Sequence, residues 1–536
     1  MRVGTLKSAP AIFLRATALA GMLLMSALAP VRAETLAYRL SLTEAVAGNP
    51  VLEAFYEARD QAPLWTGPDG APRRAALIAA LRAAGDHGLP AGRHDANDLL
   101  AALGAASSDR DLGVIEARMS AALLAYARDV HSGVLAPSQV SPEMVRTVTR
   151  PDPARILADF AAADPVAFLR SLPPQTPEYA RLMRQRHRLL DLTASYGWGP
   201  EVPGAKLELG DRGEAVIALR NRLIAMGYMA RTASQDFDAP LQAAVIAFQT
   251  DHGLSPDGVV GAGTIAAINT SPQKRLESVI VAMERERWMN FDRGQRHIWV
   301  NLADYSAKII DDGKVTLQTR AVVGANARDR RSPEFSDEMT HLIINPTWHV
   351  PRSIATKEYL PELQNDPNAV SHLDLFDRSG RRVDRASIDF TEFTTSTFPF
   401  LIKQGPGDAN ALGKVKFMFP NRWNIYLHDT PQKYLFSREA RAFSHGCIRL
   451  NDPFDFAYTL LARQVDDPES YFRRILETGR ETRVDLAVPV PVHLVYRTAI
   501  MPARGKPQYR ADIYGRDAEI FEALIRAGVA LPVPQS

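Results

Sequence analysis

The sequence predicts an α+β protein of several domains, and three observations carry that expectation. A long Ala- and Leu-rich stretch repeats its apolar residues at helical spacing, a compact run of short amphipathic helices is cut by glycine turns, and a later region replaces the helical stripes with short β-branched runs. The 536 residues leave room for about three or four domains. With 46% hydrophobic and 23% charged residues the composition is that of ordinary globular proteins able to bury sizeable cores. A formal net charge of +2 gives no electrostatic case for a nucleic-acid partner.

Taken in order, residues 1–33 predict a cleaved secretory signal. Arg2, Lys7 and Arg15 supply positive charge, Ala16 to Ala29 is a short apolar run, and Val31-Arg32-Ala33 offers the small residues a signal peptidase reads. The run is shorter than the ~20 residues that cross a bilayer. The expectation is a chain exported to the periplasm or cell envelope, beginning near Glu34 and without a membrane span once processed. Residues 34–197 read as a helical scaffold: Leu77, Ala80, Leu81 and Ala84 form one stripe, Leu123, Ala127 and Val130 another, and Gly88-Leu89-Pro90 punctuates the helices.

A Gly- and Pro-containing linker precedes a module over 207–269. Leu209-Gly210-Asp211-Arg212-Gly213 turns into a helix whose stripe is Val216, Leu219, Leu223 and Met226, and Gly227 stops it. Leu241, Val245 and Phe248 form a second stripe, Asp257-Gly258 a turn, and Gly261 to Thr264 the start of a third short helix. Residues 278–480 then read as a strand-rich domain. Strands are expected at Ile298–Leu302, Ser306–Ile310, Thr319–Val323, Leu342–Ile344, Lys416–Phe419 and Asn424–Leu427, with Asp312-Gly313 as a hairpin turn. A polar, helical insertion over 353–412 interrupts them, and helices follow at about 453–464 and 468–477. In the C-terminal part, 485–536, Val488 to Tyr496 looks like one more strand, and Pro489 and Pro491 argue that it lies at a sheet edge before a closing helix.

Cys447 is the one cysteine, so an intramolecular disulfide and a Cys-based metal cluster are both excluded. Taken alone, a lone cysteine reads as a small buried hydrophobe. Its surroundings, Ser444-His445-Gly446-Cys447-Ile448-Arg449-Leu450-Asn451, read differently beside Tyr426-Leu427-His428-Asp429-Thr430 upstream. A thiol becomes a good nucleophile when an imidazole takes its proton. His445 is too near in chain to choose its geometry freely, whereas His428 at a strand end can be aimed across a cleft and is the better general base. Gly446 permits a turn that points successive N–H groups at one spot, as an oxyanion requires. No HExxH occurs and the other histidines are scattered, so neither metal nor cofactor is expected.

These residues resemble the active-site motif of the L,D-transpeptidase family: a His, a spacer, then Ser/Thr-His-Gly-Cys, a hydrophobic residue, Arg, a variable residue and Asn. His428, Ser444, His445, Gly446, Cys447, Ile448, Arg449 and Asn451 all fit it. Val322-Val323-Gly324, the Asn345–Pro351 segment and Asp408–Gly413 are similar to the family's flanking strands and loop. The 207–269 module resembles a peptidoglycan-binding module through its turn glycines, its stripes, Gln249 and Thr264. Phe55, Tyr56, Leu64, Trp65, His87-Gly88-Leu89 and Asp512–Asp517 are similar to the family's large members. The resemblance implies a helical scaffold, the binding module, and a mixed-sheet, sandwich-like catalytic domain with a lid at 353–412.

It also implies a reaction. Cys447 attacks the third residue of a peptidoglycan tetrapeptide stem, D-Ala leaves, and an amine of a second stem resolves the thioester as a 3→3 cross-link. His428 serves as base and then acid, and the carbonyl of Asp429 orients its ring. Backbone N–H groups around His445, Gly446 and Cys447 form the oxyanion hole, and carbapenems acylate such enzymes. Tyr426, Trp348, Ser444, Arg449 and Asn451 are the candidate substrate contacts; Tyr426 and Trp348 also read as core, Arg449 as an internal salt bridge and Asn451 as a loop clamp. The charges of Lys357 and Arg352 read as solvated. The partner expected is peptidoglycan stem peptide, and the sequence carries no sign of oligomeric state. Rival readings use water or a lipoprotein lysine as acceptor, or keep only a wall-binding scaffold. A papain-like protease lacks its local Cys motif here.

Overall fold

The computed structural model describes residues 35–195, 197–204 and 206–531. The signal segment expected over 1–33 lies outside the described residues. The described residues divide into two compact units: one takes residues 35–134 with 150–175 and 527–530, the other 135–149, 176–526 and 531.

The first unit is helical, as its stripes predict. The helix Asp109–Ser132 opens on a capping box in which Ser108 and Asp111 satisfy each other's backbone donors. Leu77, Leu81, Leu123, Ala127 and Val130 are all buried in one core. That core also holds the carboxylate of Glu116, which accepts from the amides of Trp65 (3.0 Å) and Thr66 (2.8 Å) and from the Tyr56 hydroxyl (3.0 Å). A buried carboxylate is tolerable only with such a ring of donors. The 34–197 span is not one body, however. The helix Pro177–Thr193 belongs to the second unit, where Tyr179, Leu182 and Leu189 bury their stripe and pack it on the helix Pro272–Trp288. A helical period shows that a face is apolar but not which body buries it.

In the second unit the small module has its three expected helices, Glu214–Ala225, Ala239–His252 and Ala262–Asn269. Val216, Leu219, Leu223, Leu241, Val245 and Phe248 share one core. Gln249 is the polar hub beneath them. Its amide nitrogen donates to Asp257 Oδ1 and the Val259 carbonyl, both at 2.9 Å, and to Thr264 Oγ1 at 3.2 Å, while its oxygen accepts from the Gly258 amide. The motif residues Gln249, Asp257, Gly258 and Thr264 thus hold the module's own turn together.

The strand-rich domain contains β1 (Arg296–Asn301), β2 (Ser306–Asp311), β3 (Lys314–Gly324), β4 (Phe335–Ile344), β5 (Trp348–His349), β6 (Asp374–Phe376), β7 (Leu401–Gln404), β8 (Val415–Met418), β9 (Leu427–His428), β10 (Ala442–Ser444), β11 (Ile448–Leu450) and β12 (Thr482–Val495). The β2–β3 hairpin turns at Asp312 and Gly313, both at positive φ (49° and 74°), which matches the twist of the flanking strands. The large sheet runs β10-β3-β11-β9-β8-β4-β12-β1-β2. Because β3 pairs with β2 along its first half and with β11 and β10 at its end, the sheet closes on itself. Its interior is apolar: Val415, Phe417, Leu427, Ile448 and Leu450 are fully buried, and Phe417 meets Phe456 of the helix Pro453–Leu461 at 5.0 Å.

Three expectations need correction. β12 is interior, antiparallel to β4 and parallel to β1. Its prolines are tolerated because the register with β4 shifts between Asp485 and Val490, around Pro489, and the pairing with β1 begins only at Val492, after Pro491. The insertion over 353–412 is not only helical, since β6 and β7 join β5 in a separate three-stranded sheet. The strand expected at Asn424–Leu427 starts later, because Asn424 takes a positive φ of 54° and only Leu427–His428 pair.

Behind the sheet, Glu334 is buried between Arg285 and Arg516, both of them buried as well. Removing one member of such a cluster strands the others. Glu334→Ala is expected to cost about 3–5 kcal/mol of stability, read as a lowered urea midpoint with an unchanged m-value.

Candidate functional site

Along β9 and β11 side chains alternate between the two faces of the sheet. Leu427, Ile448 and Leu450 fill the interior, so Tyr426, His428, Cys447 and Arg449 face outward together. The register seals the grouping: Arg449 lies beside His428, and the Ile448 amide donates to the Tyr426 carbonyl at 3.1 Å. All four line one cleft of about 510 Å³, joined by Trp348, Glu358, Tyr359, Ser444 and His445. The cleft therefore takes side chains from the sheet, from the Cys447 loop and from the insertion.

His428 is fixed by its neighbour. Its Nδ1 donates to the Asp429 carbonyl at 2.5 Å, which leaves Nε2 as the unprotonated, basic nitrogen. The Asp429 carboxylate is used elsewhere, accepting from the Lys414 amide (2.8 Å) and the Lys433 ammonium (2.7 Å). Burial lowers the His428 pKa to about 3, helped by the positive charge of Arg449 and opposed by the carbonyls of Asp429 and Leu412. Burial pushes the Cys447 thiol up to about 11, against hydrogen bonds from Tyr426 and the charges of Arg449 and Lys416. Both shifts favour a neutral thiol and a neutral imidazole in the resting site.

The loop before Cys447 is tied down. Gly446 adopts φ 110°, and a Cβ there would come within 3.1 Å of Ile425 Cδ1. Its N–H donates to Ser444 Oγ at 3.1 Å, and Ser444 Oγ donates to the Cys447 carbonyl at 2.5 Å. The Gly446 amide is thus occupied and unavailable to an oxyanion, a correction to the three-amide hole. The amides of His445 and Cys447 donate to no group among the described residues. Ser444 shapes the turn without offering a free hydroxyl. Asn451 bonds Asp452 Oδ1 (2.7 Å) and clamps its own loop.

Among the described residues Arg449 has no carboxylate partner: its NH1 donates to Gln432 Oε1 at 2.6 Å, and its buried Nε has no partner. The internal salt bridge expected for it is absent because the nearest acceptor on the 430–433 turn is an amide. Trp348 sits edge-on to Tyr359, at 6.4 Å, in the cleft wall. His445 meets Glu358 of the insertion at 2.6 Å, and Arg330 reaches the same oxygen at 2.8 Å. Lys357 pairs with Asp329 and Arg352 donates to the Phe398 carbonyl, so neither is simply solvated.

Sequence reasoning missed the support behind the loop. Ser332 Oγ donates to the Gly446 carbonyl at 2.6 Å and accepts from the Gly324 amide at 3.0 Å. Tyr514 of the C-terminal segment donates to the Gly324 carbonyl at 2.6 Å. No local pattern marks Ser332; the Asp512–Asp517 motif was the only signal. Ser332→Ala leaves two buried backbone groups unpaired. It is expected to cost about 1–3 kcal/mol in chemical denaturation and to slow Cys447 alkylation by shifting the loop.

Among the described residues no helix is long and apolar enough to cross a membrane, and no cluster of His, Cys, Asp and Glu suits a metal ion.

Residues 295–490 match the family model described as "L,D-transpeptidase catalytic domain", residues 212–268 the "Putative peptidoglycan binding domain" and residues 50–185 the "Scaffold domain". A curated protein of Haemophilus influenzae, named "Putative L,D-transpeptidase", is 32% identical over 255 residues, which are 47% of this chain and 51% of that protein. The chain thus spans about half the length of the curated relative it matches. A crystal structure of an L,D-transpeptidase from Xylanimonas cellulosilytica is 16% identical, covering 55% of this chain and 98% of its own, with a TM-score of 0.17 that carries no weight.

Proposed function

We propose that this chain is a peptidoglycan L,D-transpeptidase that forms 3→3 cross-links through a Cys447 thioester. The carrying observation is that Cys447, Tyr426, His428 and Arg449 share one face of the sheet in one cleft, with the His428 ring held by the Asp429 carbonyl. It rests also on the match of residues 295–490 to an L,D-transpeptidase catalytic domain.

In this reading the tetrapeptide stem lies in the cleft with the carbonyl of its third residue against Sγ. His428 Nε2 takes the thiol proton as sulfur attacks. The amides of His445 and Cys447 receive the oxyanion. The imidazolium formed is a strong acid because burial and Arg449 disfavour it, so it readily protonates the departing amine. The C–N bond breaks, D-Ala leaves and the thioester remains. An amine of a second stem then attacks, gives its proton to His428, and the thiol is restored. The 207–269 module holds the enzyme on its polymeric substrate, and the 353–412 insertion acts as a lid over the cleft. A signal over 1–33 would place the enzyme in the cell envelope.

The test is incubation of the purified chain with a disaccharide-tetrapeptide, followed by mass spectrometry. A dimer one D-Ala lighter than two substrates is expected. Tripeptide alone would make the enzyme an L,D-carboxypeptidase, and a lysine-linked product would make it a protein-attaching enzyme. Lack of any D-Ala release, together with no carbapenem adduct under reducing conditions, would leave only a wall-binding scaffold.

A further inference from the structure

Across the outer face of the sheet, His428 has a neighbour on each side. Arg449 flanks it on β11 and Lys416 on β8, both in direct register. Val415 and Phe417 point into the apolar interior, so Lys416 is turned to the same face as His428. Directly paired residues of adjacent strands hold their Cβ atoms about 4.5–5.5 Å apart, close enough for one charge to act on the next side chain. Arg449 spends part of its guanidinium on Gln432. Lys416 is half-buried, and its ammonium donates to no group among the described residues. Burial disfavours its charge, and Glu481 and Cys447 are the groups whose negative charge would favour it.

We infer that Lys416 is a positioning residue of this site, its ammonium stabilising the negative charge that forms on Cys447 and passes to the oxyanion, while making the His428 imidazolium a readier acid for the leaving amine. The inference rests on the reading of Cys447 as nucleophile. The remaining charged and titratable groups near the pair are otherwise engaged or differently placed. Glu358 is held by His445 and Arg330, Asp429 by Lys433, and Tyr426 bonds the thiol itself. Glu481 acts on Lys416 through its charge and accepts from the Thr347 amide. That leaves Arg449 and Lys416 as the two cations at the reacting pair, and both act to lower the thiol pKa. A fixed positive charge at this position does two things. It favours the thiolate and, later, the oxyanion, and it disfavours imidazolium, which sharpens His428 as the acid for the leaving amine.

The single cysteine makes the test clean, because iodoacetamide then reports Cys447 alone in the full-length chain. Alkylation is followed from pH 7 to pH 10 for the natural chain, Lys416→Met and Lys416→Arg. Lys416→Met is expected to displace the rising limb by about one pH unit to higher pH, so that it reacts about tenfold more slowly at each pH. Its acylation by tetrapeptide should lose kcat with KM unchanged, and the acid limb of kcat/KM should also move to higher pH. Lys416→Arg, which keeps the charge and guards against a folding defect in the Met variant, should restore both limbs. An unmoved alkylation limb in Lys416→Met overturns the inference. So does a raised KM with unmoved limbs, which would make Lys416 a reader of substrate carboxylate. If the limbs move but no D-Ala is released from any substrate, the transpeptidase reading fails and the electrostatic role stands.

Discussion

Cys447→Ala is expected to form no acyl-enzyme with a tetrapeptide stem or a carbapenem, and to lower D-Ala release by at least about 10⁴-fold. Cys447 is the one cysteine of the chain, so no second thiol can substitute. The nearest hydroxyl in the loop, Ser444 Oγ, is spent between the Gly446 amide and the Cys447 carbonyl. The fold should change little, because the half-buried thiol contributes only weak sulfur bonds, one to the Asn424 carbonyl at 3.6 Å and one with the Tyr426 hydroxyl. Retention on purified peptidoglycan sacculi should be unaltered, since the 207–269 module keeps its own core. The measurements are intact-protein mass after carbapenem and D-Ala release by coupled assay. Turnover at the natural rate by this variant would remove Cys447 from the chemistry.

How much of this was legible beforehand depends on distance along the chain. The nucleophile loop is local, so Ser444 to Asn451 could be read directly, and the strand-end placement of His428 followed from its β-rich flank. The Asp429 carbonyl was within reach of the same logic because it is one residue away. Ser332 was not, since its bond to Gly446 spans 114 residues and exists only once β3 and β10 pair. Lys416 looked like an ordinary strand lysine until register set it beside His428. Pro489 and Pro491 misled for the same reason. A proline excludes a neighbour only at its own nitrogen, and β12 meets β1 just beyond them. The sheet in the insertion was hidden because β5, β6 and β7 have two to four residues each, too few for alternation to register.

The neutral resting pair makes the second large effect specific. With the thiol near 11 and the imidazole near 3, the reactive protonation state is the same from mildly acidic to mildly alkaline solution. The kcat/KM for acylation is therefore expected to be flat between about pH 5 and pH 9. It should fall toward acid as His428 takes a proton, and toward strong alkali as the thiol loses the one that His428 must carry to the leaving amine. His428→Ala removes the base, and the rate must then follow the thiolate fraction alone. For a thiol titrating near 11 that fraction is about 10⁻⁴ at pH 7, so acylation by carbapenem should drop by about 10³–10⁴-fold there. The deficit should shrink tenfold with each unit of rising pH, because solvent now does what Nε2 did. Added imidazole should recover part of the loss at neutral pH. Two results would remove His428 from that role: a natural chain whose own rate climbs tenfold per pH unit through neutrality, or a His428→Ala chain whose deficit stays constant from pH 7 to pH 10. The first would mean that hydroxide already draws the proton from Cys447. The second would mean that the ring contributes by packing against Tyr426, 5.7 Å away, and not by accepting a proton.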